Sequence, residues 1–131
     1  MPAKNTKTEW ENESLLKSVR TAWYGVGHIL SHHRNARIIF LSAIFTLLVG
    51  FYLKISNLEL FVLGVAIMIV FIAEVINTLI EDLSDLITLE YHPKIKIIKD
   101  IAAGVVLVAV LFALGLGYFV FANRILALWK K

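Results

Sequence analysis

The polar residues between positions 74 and 100 are the ones equipped for chemistry. Glu74, Asn77, Glu81, Asp85 and Thr88 recur through a stretch otherwise dominated by Ile, Leu and Val. At about 100° per helical residue they lie at roughly 0°, −60°, −20°, +20° and −40° around the axis, a strip under about 90° wide. Val75, Ile76, Leu79, Ile80, Leu83 and Leu86 fill most of the remaining circumference, and Asp82 and Ser84 enter only near the end. The spacing predicts one helix with an apolar majority and a carboxylate seam. An ionisable group at the centre of a membrane helix costs about 3 kcal/mol or more and usually marks function. Three carboxylates on one face also repel one another. A divalent cation or a cationic ligand relieves that repulsion, and hard oxygen donors favour Mg²⁺. Glu74 is the deepest of the three, where desolvation penalises the charged form. A carboxylate so placed suits a general base acting on a hydroxyl. For Asp85 alone, a place in water at the membrane edge is an equally good account. It is a poor account of Glu74, Asn77 and Glu81 on one face.

The elements that position this seam follow from composition. The chain has 131 residues, of which 59% are hydrophobic, with a mean hydropathy of +0.77. That is far above the soluble average and indicates an all-α integral membrane domain. Residues 1–13 are polar and predicted to be mobile. Leu15, Leu16, Val19, Trp23, Val26 and Leu30 recur at helical spacing, which predicts an amphipathic helix over 14–33. With Trp23 and Tyr24 it suits the membrane interface. Three spans follow, at about 36–54, 58–88 and 100–122, the last containing an uncharged run of 22 residues at 101–122. A tight turn is expected at "KISN" (54–57) and a polar connector at "YHPKIKIIKD" (91–100), with Pro93 ending the preceding helix. No cleavable targeting signal is expected, since the first apolar span starts near 38.

Charge sets the orientation. Six Lys/Arg precede the first span, Lys54 alone lies in the first loop, Lys94, Lys96 and Lys99 lie in the second, and Arg124, Lys130 and Lys131 end the chain. The positive-inside rule favours a cytoplasmic N-terminus and a cytoplasmic second loop, with the basic tail opposing mildly. The net charge of +3 comes with no basic stripe interleaved with aromatics, so nucleic acid is not an expected partner. The absence of cysteine excludes thiolate chemistry and disulfides. Ala109, Ala113 and Gly117 repeat at four-residue spacing, which lets membrane helices approach closely. Three spans cannot easily enclose a polar site, so a homo-oligomer is expected. His28 and His32 stand i, i+4, but without a third ligand at suitable spacing the better reading is a pair of interfacial histidines. No Walker-type loop and no protein-kinase signature set is present. Lys99 would suit a phosphate as a point charge, although on composition alone a positive-inside anchor is the better reading.

The pattern E-x-x-N-T-x-I-E-x-x-x-D (74–85), then E-Y-H-P (90–93), then K-D-x-A-A-G-x-V-L-V-A (99–109) resembles the prokaryotic diacylglycerol kinase family, including its undecaprenol kinase branch. The likeness runs over roughly 14–122 and includes A-W-Y-G (22–25), R-N-A-R-I (34–38) and G-F-Y-L-K-I-S (50–56). It implies a homotrimer of three-span chains with a surface amphipathic helix and shared active sites, in the bacterial inner membrane. The implied activity is transfer of the γ-phosphoryl of ATP, with Mg²⁺, to a membrane lipid hydroxyl, that of undecaprenol or diacylglycerol. By the same resemblance Glu74 is the base and Glu81 a metal ligand. Asn77 and Asp85 support the polar site, Glu90, Tyr91 and His92 contact nucleotide, and Lys99 and Asp100 contact phosphate and nucleotide.

One position departs from the pattern. Where the family commonly carries a Glu that joins the metal site, this chain has His33, and a neutral imidazole is a poor Mg²⁺ ligand beside a carboxylate. Asp82 or water would then substitute, or specificity or activity would change. Thr21 stands where a familiar aromatic nucleotide contact is expected. Two readings outside the kinase class follow: a weak or inactive homologue serving as a membrane scaffold, and a proton- or cation-conducting oligomer using the Glu74 seam. The second has no need of the E-Y-H-P and K-D segments.

Overall fold

The computed structural model of the chain describes residues 15–129, apart from the side chains of 123 and 127–129. The polar segment expected to be mobile, 1–13, lies outside the described residues. The described chain forms α1 (Leu15–His32), α2 (Arg34–Tyr52), α3 (Asn57–Ile87) and α4 (Pro93–Trp129). The last three are long and apolar enough to cross a membrane. At 1.5 Å per residue α3 and α4 reach about 46 and 55 Å, well beyond a hydrocarbon core of about 30 Å. Both therefore carry polar ends past the membrane.

Local signals set the boundaries. α1 buries none of its residues in the chain and exposes Leu15, Leu16, Val19 and Trp23, as an interfacial helix does. It breaks from α2 at His33, whose backbone is extended. α2 ends in a Schellman turn. The Ile55 N–H donates to Gly50 O at 3.2 Å and the Lys54 N–H to Phe51 O at 3.1 Å, which puts Lys54 in the left-handed region at φ 51°. Gly50 lets Ile55 pack close, since a Cβ there would meet Ile55 Cδ1 at 2.8 Å and push that side-chain end aside. α3 starts with a capping box between Ser56 and Glu59.

Three sequence expectations change. The 91–100 stretch is not a loop beyond Pro93, because α4 begins there. Proline is well tolerated in a first turn, where its missing N–H would have had no partner. The third apolar helix also continues to Trp129 rather than stopping near 122. Thr88 leaves the seam, since it is the extended C-cap of α3 and its Oγ1 accepts from the Glu90 N–H.

The most extensive helix pairing is α3 with α4, followed by α2 with α3. Its core is small: Val70, Ala73 and Ala109, with Ile39, Val106, Val110 and Ala113 packed around them. The small-residue stripe Ala109–Ala113 thus serves packing within the chain, and it gives no independent argument for an oligomer.

Candidate functional site

The seam is graded in depth. Glu74 retains 4% exposure and Asn77 6%, whereas Glu81 and Asp85 are exposed. The gradient follows from the helix pairing, because Glu74 lies one residue past the Ala73 core contact and Asp85 lies two residues from the end of α3. Asn35 at the start of α2, Glu81 and His33 are all near enough to the Glu74 carboxyl to act on its charge. Asn77 Nδ2 donates to Glu81 Oε1 at 2.9 Å. Asn77 Oδ1 is buried and is the one described buried side-chain polar atom with no partner. A buried acceptor without a donor costs about 1–3 kcal/mol, so it is a position where a ligand donor gains most.

Three elements converge on this end of the molecule. The α1–α2 break contributes His33, whose Nε2 stands 3.8 Å from Asp82 Oδ2. α3 contributes the seam. α4 contributes Lys99, whose Nζ donates to Asp85 Oδ1 at 2.5 Å. Asp100 is held by Lys96 at 2.5 Å, one helical turn back. Glu90, Tyr91 and His92 lie exposed on the short connector between α3 and α4. They share the end with the seam, and no described hydrogen bond or ion pair joins their side chains to it. His28 and His32 stack with ring centroids 4.1 Å apart on α1.

Among the described residues no three His, Asp or Glu groups gather into a metal cage. Mg²⁺ commonly uses one or two carboxylates, substrate phosphates and waters instead of an all-protein cage. Exposed Glu81, with Glu74 near it, fits that second mode. An apolar groove of about 560 Å³ runs between α2, α3 and α4 from Ile38 to Phe121 and includes Val70, one turn before Glu74 on α3.

Sequence reasoning missed Asn35, Thr78, Ser84 and the Glu59–Arg124 pair. Asn35 lies in the quoted R-N-A-R-I stretch, two residues from His33, and that proximity was the available signal. Thr78 and Ser84 are buried on parts of α3 outside the Glu74 strip, and nothing in the spacing marks them.

Residues 20–121 match the family model described as prokaryotic diacylglycerol kinase. A Synechocystis protein named diacylglycerol kinase is 34% identical over 113 residues, which is 85% of this chain and 65% of that protein. The chain thus spans just under two thirds of that relative's length. A Bacillus subtilis protein named undecaprenol kinase is 31% identical over 115 residues, covering 88% of this chain and 94% of the relative. With most of its length matched by the family model and by both relatives, the chain is a member of the prokaryotic diacylglycerol kinase family, a family of lipid kinases.

Proposed function

We propose that the chain transfers the γ-phosphoryl of ATP to the hydroxyl of a membrane lipid, either undecaprenol or diacylglycerol. The observation that carries this reading is the graded seam: a buried carboxylate, Glu74, followed on the same face by the bonded Asn77 and Glu81 and, at the surface, by Asp85 paired with Lys99. A lipid hydroxyl approaches from the hydrocarbon and a nucleotide from water, and the seam spans that difference in depth.

Glu74 accepts the hydroxyl proton as the lipid oxygen bonds to the γ-phosphorus and the bond to ADP breaks. Asn35 stands near the Glu74 carboxyl, where its amide can favour the charged form. Asn77 orients Glu81 by its amide N–H. Lys99 exchanges Asp85 for a phosphate oxygen when nucleotide arrives, and Asp85, Asp100, Glu90, Tyr91 and His92 frame the nucleotide at the same end. Mg²⁺ held by Glu81 and phosphate oxygens would neutralise charge on the transferring group, and positioning with charge neutralisation is most of what this reaction requires. The 560 Å³ groove beside Val70 offers an apolar bed for the acceptor tail. The Lys-rich inner end supports a cytoplasmic location for the site and the N-terminus, in a bacterial inner membrane. A homotrimer with shared sites would cover the apolar faces that a single chain leaves exposed, including Phe61 and Leu111.

The test is transfer of labelled phosphate from ATP across undecaprenol, diacylglycerol and ceramide, in lipid nanodiscs with Mg²⁺. Labelling of one of the first two acceptors supports the reading. No transfer to any of them, with folded protein, sinks it.

A further inference from the structure

The two ends of the α3–α4 pair each carry an ion pair. At the inner end Lys99 meets Asp85. At the outer end Arg124 Nη2 donates to Glu59 Oε2 at 2.6 Å, and its Nη1 donates to the Lys54 carbonyl at 3.1 Å. The same Glu59 oxygen also accepts from the Ser56 N–H and hydroxyl, each at 2.7 Å. The two pairs are 26 residues apart on α3 and 25 apart on α4, about 39 and 38 Å of helix. That exceeds a hydrocarbon core of about 30 Å, so both pairs lie at its edges and the spacings agree to within one residue.

Between the pairs the helices meet mainly through small side chains. The buried apolar residues are Leu63, Ala66, Val70 and Ala73 on α3 and Ala102, Ala109 and Val120 on α4, so Leu63 is the one large side chain among them. Small residues give close approach but a smooth surface, and hydrocarbon supplies no hydrophobic drive holding one helix at a given height against another. Arg124–Glu59 and Lys99–Asp85 are the described hydrogen-bonded polar links between the two helices. A planar guanidinium bridging a carboxylate and a turn carbonyl resists axial displacement better than a single point contact.

We propose that Arg124 is a positioning residue: from the outer end it sets the axial register of α4 on α3, and thereby the placement of Lys99 against Asp85 at the opposite end. The register inference stands on the helix pair itself. Its consequence for activity rests on the phosphate role proposed above for Lys99.

The chain has no cysteine, so spin labels at Ile87→Cys and Ile97→Cys, both exposed, report the inner end alone. Pulsed EPR is run on the full chain in nanodiscs, diluted with unlabelled chain. Arg124→Gln is expected to broaden the 87–97 distance distribution and shift it by roughly 1.5–5 Å, from one residue rise to one turn. The charge-swapped pair Glu59→Arg with Arg124→Glu is expected to restore it at least partly, and Arg124→Lys to give an intermediate shift. An 87–97 distribution unchanged in Arg124→Gln overturns the proposal. Should that variant fail to fold, an Arg124→Lys distribution identical to the parent does the same. A shifted distance with undiminished kcat leaves the register inference standing and removes the phosphate role of Lys99.

Discussion

The two ends of the α3–α4 pair use similar residue types to opposite effect. At the outer end the central polar groups are well partnered: one Glu59 oxygen takes three donors, Arg124 serves both a carboxylate and a carbonyl, and Ser56 completes the capping box. At the inner end the polar groups are incompletely served. Asn77 Oδ1 has no donor, His33 stands 3.8 Å from Asp82, outside hydrogen-bond distance, and Lys99 and Asp85 neutralise each other near the surface. A saturated node has nothing left to offer a ligand and stabilises the fold. An under-satisfied cluster is stabilised further by whatever completes it, which is the property of a binding site.

Substitutions test that contrast, and the largest effect belongs to the deepest residue. Glu74→Gln keeps size and polarity but removes the base. Its kcat is expected to fall by about 10²–10⁴, with unchanged size-exclusion behaviour. Full phosphate transfer by that variant would remove Glu74 from the mechanism. Lys99→Met should weaken nucleotide use by about 10–100-fold, the scale of a lost charge-assisted hydrogen bond of about 1.5–3 kcal/mol. It is measured as the change in kcat/KM for ATP, and equal losses for all nucleotide concentrations would shift Lys99 to a structural role.

Asn77→Leu separates the two ends most directly. It removes a buried unpartnered acceptor, so the melting temperature is expected to hold or rise while activity drops at least tenfold, the pattern of a site maintained at some cost in stability. At the outer end Ser56→Ala should show the reverse: about 1 kcal/mol of lost stability from the missing cap, with kcat nearly intact. If both variants lose stability and activity together, the contrast between the ends fails. The smallest effect is expected for His33→Glu. It places a second carboxylate opposite Asp82, and the repulsion is relieved by a cation. Activity should rise several-fold at limiting Mg²⁺, the scale of about 1 kcal/mol, and melting should become Mg²⁺-dependent. A variant indifferent to Mg²⁺ on both measures would show that the site is completed without that position.

Much of the site was legible in the sequence because helical periodicity is a local property. Residues 74, 77, 81 and 85 share a face in any α-helix, so the strip follows from spacing alone. The helix that carries them was legible for the same reason, being a long apolar run bounded by Ser56 and Pro93. The reading failed where a boundary depended on a few residues. "PKIKIIKD" looks like a basic loop, yet Pro93 starts a helix as readily as it ends one, and Lys96 and Asp100 support it one turn apart. The Arg124–Glu59 pair was not legible, because 65 residues separate its members and periodicity says nothing about which helices lie together.

Composition and spacing alone therefore established a membrane domain with one polar face on its second span, since hydropathy and the 3.6-residue period require no partner. Which seam residues are buried, which are paired and which remain unserved was decided by tertiary packing. Burial of Glu74 and Asn77 comes from α2 and α4 lying against α3, and that burial leaves Asn77 Oδ1 without a donor. The register that sets Lys99 opposite Asp85 likewise belongs to the helix pair, because helical periodicity fixes the faces of each helix but not its height along a neighbour.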